Sequence, residues 1–259
     1  MSLRAFRVAE DGPAIPHGKR MKSFLNLLSN LFFPLRCPIC DEPVKSNEGK
    51  ACKACLPELR YVQEPTCLKC GQHLAYTRHE KQAEFCEGCQ KRTHVYDRGI
   101  ALLEYESISE SIYRFKNSGR QEYADFFAEQ IYAHMGAEIR SFNADCLIPV
   151  PLHKKRERRR GYNQAALLAQ ALSKHLNIPV DDKLVSRVKH TVPLKKLNLA
   201  ERQINLKRAF KINRNDVELS TVIIIDDIYT TGSTMDEMAA ELRRSGVKRV
   251  YFVTLAIGK

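Results

Sequence analysis

The chain has 259 residues, enough for a small module followed by one ordinary domain. Its 42 Lys and Arg against 30 Asp and Glu give a net charge of +12, which points to a polyanionic ligand: a phosphate ester, nucleic acid or an acidic membrane. A bilayer span is excluded, because the apolar stretch at residues 24–33 is broken by Asn26, Ser29 and Asn30 and stopped by Pro34, far short of the roughly 20 apolar residues a crossing needs.

Residues 1–20 lack a hydrophobic period and contain Gly12, Pro13 and Pro16, so a flexible extension is expected there, with Met21 an equally good start. Residues 21–36 read as a short amphipathic lead-in helix. No small-residue cleavage site follows it, and the expectation is a soluble cytoplasmic protein whose cysteines are kept reduced.

Eight of the nine cysteines fall in residues 37–94, as four Cys-x-x-Cys turns: Cys37/Cys40, Cys52/Cys55, Cys67/Cys70 and Cys86/Cys89. Eleven residues separate the first two turns and fifteen the last two. A two-residue gap lets both thiolates of a turn face one ion, and two turns complete a tetrahedral four-cysteine site whose binding energy folds a segment too small to fold alone. Two structural zinc ions are the expectation. A disulfide framework needs an oxidising compartment, and a thioredoxin-type pair would not occur four times; an iron–sulfur cluster uses the same ligands, and spacing does not separate it from zinc. Sequential pairing would give two ribbons in tandem, and pairing the first turn with the third would give a cross-braced site. With four thiolates per ion the metals hold structure and leave no position for hydrolysis. His73, His79 and His94 are then read as surface residues.

The composition changes at residues 92–98, and residues 97–259 read as an α/β domain. Phe127, Ile131 and Met135 mark one amphipathic helix; Cys146 to Val150 form a strand in which the leftover Cys146 acts as a small hydrophobe. Asn163 can cap a helix with the buried stripe Ala165, Leu168, Leu172 and Leu176. Thr221-Val222-Ile223-Ile224-Ile225 suits a central parallel strand buried on both faces. Met235, Met238, Ala239 and Leu242 form the stripe of a further helix ended near Gly246, and a last strand covers residues 250–255. This alternation predicts a doubly wound parallel sheet with ligands at the carboxyl ends of its strands.

At that end of the most buried strand stands Asp226-Asp227-Ile228-Tyr229-Thr230-Thr231-Gly232-Ser233-Thr234. Small residues and a glycine at a helix amino terminus let backbone N–H groups surround an anion, which makes Thr230 to Thr234 a phosphate cradle. Two carboxylates facing a phosphate would repel it, so Asp226 and Asp227 are assigned to the hydroxyls of a ribose one sugar-length away. Phosphate plus diol means ribose 5-phosphate. A generic phosphate or magnesium site explains the acids but not the Thr-Thr-Gly-Ser-Thr run.

Residues 222–234 resemble the ribose-phosphate signature of type I phosphoribosyltransferases. The wider pattern is similar to the ComF/ComFC/GntX competence-associated family. It rests on Leu35-Arg36-Cys37-Pro38-Ile39-Cys40, Phe115-Lys116-Asn117-Ser118-Gly119-Arg120, Pro149-Val150-Pro151-Leu152-His153, Arg160-Gly161-Tyr162-Asn163-Gln164 and Glu201-Arg202-Gln203-Ile204-Asn205. The chain departs from the family in carrying Pro193-Leu194-Lys195 where a Gln usually stands. The resemblance implies phosphoribosyl pyrophosphate as ligand, Mg²⁺ with it, a transferase reaction of nucleotide metabolism with no acceptor specified, and a part in DNA uptake. It also implies a DNA-uptake helicase as a partner of the zinc module.

Lys154-Lys155-Arg156-Glu157-Arg158-Arg159-Arg160 puts six cations in seven residues where such enzymes carry a pyrophosphate loop, and residues 183–211 add nine more against Glu201 at the position of their mobile loop. Lys116, Arg156, Arg158, Arg160 and Arg202 are the candidates for pyrophosphate. The alternative is a non-catalytic scaffold that binds single-stranded DNA, with Tyr162 beside the arginines and Tyr61, Tyr76 and Phe85 in the zinc region as stacking platforms.

Overall fold

The computed structural model describes residues 34–45, 47–75, 83–188, 209–214 and 217–258. The expected extension, nearly all of the lead-in helix, Tyr76, His79, the Pro193 stretch and Arg202 lie outside them. Arg36–Lys259 forms one compact unit.

Four parallel strands make the main sheet: β1 (Arg98–Glu104), β2 (Cys146–Pro149), β5 (Thr221–Tyr229) and β6 (Arg249–Ile257), in the order β1-β6-β5-β2. Between them run α2 (Tyr105–Asn117), α3 (Tyr123–Ser141), α4 (Lys154–Arg160), α5 (Gln164–Leu176) and α6 (Ser233–Arg244), with a one-turn α1 (Glu87–Gln90) beside the last cysteines. A small antiparallel pair, β3 (Val185–Arg187) and β4 (Phe210–Ile212), stands apart from the sheet.

The continuous β-branched run is the reason β5 is central: a strand covered on both faces must be apolar at every position. Ile223 and Ile225 face α3 and α5, packing with Phe127, Ile131, Leu168 and Leu172. Val222 and Ile224 face the other way, onto Met235, Met238 and Leu242 of α6. Asn163 caps α5 as its sequence predicts, its side-chain oxygen accepting from Ala165 N at 3.0 Å. Cys146 is buried in β2, and burial pushes its thiol up to about 11, so it is an inert hydrophobe at neutral pH.

Three expectations need correction. The strand at Cys146, the earliest that the sequence marks, is preceded by Arg98–Glu104 as β1, whose buried residues are continuous and carry no helical or alternating signal. The cationic run at residues 154–160 is a helix and not a loop: His153 Nδ1 accepts from Lys155 N at its start, Gly161 closes its end, and long basic side chains are good helix formers. His94 is buried rather than at the surface.

The cysteine turns pair in tandem. Cys37, Cys40, Cys52 and Cys55 form one group and Cys67, Cys70, Cys86 and Cys89 the other, with the ligand atoms of each group within 4.8 Å of one another. Thiolates about 2.3 Å from a tetrahedral zinc stand about 3.8 Å apart. Cys40 and Cys52 Sγ lie 3.9 Å apart, and Cys70 and Cys86 Sγ 3.7 Å, so both groups fit the ion.

Each ribbon packs on a different face of the sheet. Cys37, Ala51, Cys55 and Leu59 join the α3/α5 side, and Cys67, Cys70 and Leu74 join the α6 side. The connection between them covers the free edge of β1: Val62 N donates to Leu102 O at 2.9 Å and Glu104 N to Arg60 O at 2.8 Å. An unprotected edge of that kind would pair with other chains. Among the described residues no helix is long and apolar enough to cross a membrane.

Candidate functional site

β5 carries its two aspartates to the carboxyl edge of the sheet, where alternation sends their side chains to opposite faces. Asp227 points to the α5 side and is almost fully buried. Lys116, in the last turn of α2, forms an ion pair with Asp227 Oδ2, and Gln164 Nε2 donates to Oδ1 at 3.1 Å. Asp226 is partly open and accepts from Asp227 N at 2.9 Å through Oδ1.

These surroundings drive the two carboxyls apart. Burial and the neighbouring Asp227 charge push Asp226 well above the usual carboxylate range. Burial also acts upward on Asp227, but the Lys116 ammonium and the hydrogen bonds to the carboxylate outweigh it and hold Asp227 below that range. The site thus holds one firmly charged carboxylate and one that takes up a proton readily.

Beyond β5 the chain turns through Thr230 and Thr231 into α6, whose N-cap is Gly232. Gly232 has φ +74°, and a Cβ there would stand 2.7 Å from Tyr229 Oη and 2.9 Å from His94 Cε1, so only glycine fits. Thr231 Oγ1 and Ser233 Oγ lie 3.1 Å apart. A hollow of about 20 Å³, lined by residues 228–235, opens inside this turn at the positive end of the helix.

Lys116, Asp226, Asp227, Thr230 and Thr234 all line one cavity of about 440 Å³. Across it stand four guanidinium groups, those of Arg156, Arg159 and Arg160 from α4 and Arg187 from β3. Arg158 lies on the exposed side of α4 and does not line the cavity, because a helix turns successive residues about 100° apart. Arg160 donates to Gln164 Oε1, which links the cation cluster to Asp227 through one amide. Burial and Arg156 depress Arg187 to about 10 despite the opposing pull of Asp226. Partly buried arginines facing one another raise the local positive potential, which favours an anion.

Sequence reasoning named Lys116, Arg156 and Arg160 but passed over Arg159, Arg187 and Gln164. Gln164 was within the Arg-Gly-Tyr-Asn-Gln motif, so its signal was present; Arg187 has none, being one basic residue among nine in its segment. Tyr162 cannot serve as a stacking platform, since it is buried and its hydroxyl donates to Phe115 O. Tyr61 is half-buried against His134, with its hydroxyl on Gln130 Oε1 at 2.8 Å. Phe85 lines a different, larger cavity of about 770 Å³ next to the second ribbon.

Comparison with known proteins agrees with this division. Residues 28–90 match the double zinc ribbon domain and residues 163–259 the phosphoribosyl transferase domain. Competence protein F of Haemophilus influenzae is 34% identical over 231 residues, covering 87% of this chain and 98% of that protein. DNA utilization protein YhgH of Escherichia coli K12 is 29% identical over 85% of this chain and 96% of its own. Competence protein ComFC of Bacillus subtilis is 28% identical over 82% and 90%. Among solved structures, a purine phosphoribosyltransferase from Pyrococcus horikoshii matches at a TM-score of 0.33 and 18% identity, over 51% of this chain and 74% of its own. With two four-cysteine ribbons, a phosphoribosyltransferase domain and relatives matched over nearly their whole length, the chain belongs to the ComF/ComFC family.

Proposed function

We propose that the protein binds phosphoribosyl pyrophosphate with Mg²⁺ and transfers its phosphoribosyl group to an acceptor with release of pyrophosphate, in the service of DNA uptake or use of external DNA. The observation that carries this reading is the one cavity that joins a helix-start phosphate turn, a split aspartate pair and a facing set of cations. The 5-phosphate is assigned to the N–H groups and hydroxyls of Thr230, Thr231, Gly232, Ser233 and Thr234. Asp226 and Asp227 take the ribose hydroxyls. Arg156, Arg159, Arg160 and Arg187, with Lys116, take the pyrophosphate, and Arg202 remains a candidate from the sequence alone. The link to DNA follows the printed names of the relatives, competence protein F and DNA utilization protein YhgH.

Mg²⁺ bound with the substrate would supply charge neutralisation on the pyrophosphate. The partly open carboxyl of Asp226 is a hard oxygen donor of the type this ion prefers. The protein's own part is electrostatic: the guanidinium groups stabilise the leaving pyrophosphate, and the Asp227 carboxylate, held charged by Lys116, lies beside the ribose where positive charge develops at C1. No side-chain nucleophile is needed, because the acceptor attacks C1 directly.

Calorimetric titration of phosphoribosyl pyrophosphate with Mg²⁺ into zinc-loaded protein tests the reading; saturable binding to one site per chain is expected, and no heat would refute it. A second reading, single-stranded nucleic acid tracking the cations, is favoured by the exposure of Lys154, Lys155 and Arg158 outside the cavity. That mode predicts a steep salt dependence lost on neutralising those three side chains.

A further inference from the structure

Between the second cysteine group and β1 the chain runs through residues 92–96, and this strap lies directly on the phosphate turn. Arg92 donates to Thr231 O at 3.0 Å and to Ser233 Oγ at 3.4 Å. His94 Nδ1 bonds Asp236 Oδ2 at 2.9 Å, and Val95 N donates to Asp236 Oδ1 at 2.8 Å, so one carboxylate in the first turn of α6 is held from two positions. The buried Tyr96 hydroxyl meets Tyr229 Oη at 2.7 Å, immediately before the turn begins. The His94 ring stacks on Tyr96, with centroids 4.8 Å apart, and presses against the bare Cα of Gly232.

The strap is fixed at its start by Cys86 and Cys89. Its other flank is fixed by the Cys67/Cys70 turn, where Lys69 O accepts from Gly99 N at 2.9 Å and Lys69 Nζ stands 5.3 Å from the Tyr96 ring centroid. α1, at the last cysteine pair, has four residues and no fully buried side chain; Cys89, with Cys86 just before it, packs only partly against the α6-side core. In a segment of this size the metal supplies the folding energy. The strap, which lies on the phosphate turn, thus begins and is flanked at the segment that an ion bound by Cys67, Cys70, Cys86 and Cys89 would hold.

We infer that metal occupancy of the second ribbon and ligand occupancy of the phosphate turn are one coupled equilibrium, with Arg92 and His94 as the positioning residues that connect them. The inference rests on the proposed ribose-phosphate site. Coupling of this kind is reciprocal: whatever the metal adds to the affinity for a ribose phosphate, the ribose phosphate adds to the retention of the metal. The first ribbon, on the opposite face of the sheet, has no such strap to the turn among the described residues and serves as the internal control.

The test uses the full zinc-loaded chain with ribose 5-phosphate, which needs no Mg²⁺ and so permits a chelator. Alkylation of the cysteines during zinc removal is followed by peptide mass at Cys86 and Cys89 and, separately, at Cys37 and Cys40. Saturating ribose 5-phosphate should slow alkylation at Cys86 and Cys89 about fivefold or more and leave Cys37 and Cys40 unchanged. Arg92→Ala and His94→Ala should abolish that protection and weaken ribose 5-phosphate binding by a similar factor, while His94→Asn, whose amide nitrogen can stand in for Nδ1 toward Asp236, should restore both. Binding to the wild type with no protection of Cys86 and Cys89, or unchanged affinity in Arg92→Ala, overturns the coupling and leaves the proposed function standing. No binding of ribose 5-phosphate to the wild type overturns the assignment of the phosphate turn and the coupling together, while the titration of phosphoribosyl pyrophosphate decides the proposed function separately.

Discussion

Lys116 Nζ pairs with Asp227 Oδ2 just before the turn that leads from β5 into α6, and this contact joins the end of α2 to the end of the central strand. It is the reason two adjacent aspartates in similar surroundings behave oppositely. Replacing Lys116 by Met leaves a buried carboxylate with hydrogen bonds from Gln164 and Asp226 but no cation paired to it. The expected cost is about 2 kcal/mol, seen as a fall of about 4–8 °C in the melting temperature by calorimetry.

Asp226→Asn and Asp227→Asn should move ligand-free stability in opposite directions. Asp226, with its folded pKa raised, binds its proton more tightly when folded. Its contribution is therefore greatest at acid pH and declines as pH rises from the ordinary carboxylate range through the folded value. At neutral pH Asp226→Asn removes a like-charge repulsion and should raise the melting temperature. Asp227, with its folded pKa lowered, contributes stability above the ordinary range that is lost as pH falls through the folded value, so Asp227→Asn should lower it. Thermal scans between pH 4 and 8 compare the two, and equal shifts would contradict the split.

Arg187 costs the ligand-free fold something for the same reason. Its pKa is depressed to about 10, so at neutral pH it remains charged against an unfavourable environment, relieved only as pH climbs through that value. Arg187→Gln should raise the melting temperature by about 2–4 °C, equivalent to ~1 kcal/mol, and weaken phosphoribosyl pyrophosphate at least tenfold. A variant less stable and equally tight would remove Arg187 from the site.

Metal removal has a consequence beyond the ribbons themselves. The segment holding Val62 and Arg60 covers the edge of β1 and runs between the two cysteine groups. Chelation of both ions should uncover that edge, and light scattering should record aggregation that restored zinc prevents. A chelated protein that stays monomeric would mean the edge is held without the ions.

Much of this architecture is legible in the sequence because its signals are local. Thr221 to Ile225 is a buried central strand by composition, Asn163 is a helix cap by chemistry, and each Cys-x-x-Cys turn names its own ligands. What escapes is set by tertiary placement. Residues 154–160 look like a loop because charge hides helix propensity, and only Gly161 and His153 mark its ends. Arg159 and Arg187 reach the cavity while Arg158 does not, a matter of helix phase and of a two-strand pairing between segments 25 residues apart in register at Ser186 and Lys211. His94 reads as a surface histidine, yet burial against Gly232 and Asp236 makes it part of the wall of the phosphate turn.

The most direct test of the ribose-phosphate assignment is titration of phosphoribosyl pyrophosphate with Mg²⁺ into the zinc-loaded wild type and into Asp226→Asn/Asp227→Asn. The structure predicts one site per chain in the wild type and loss of at least two orders of magnitude in affinity in the double variant, with the fold intact by circular dichroism. Equal binding by both proteins would contradict the assignment of the aspartates to the ribose.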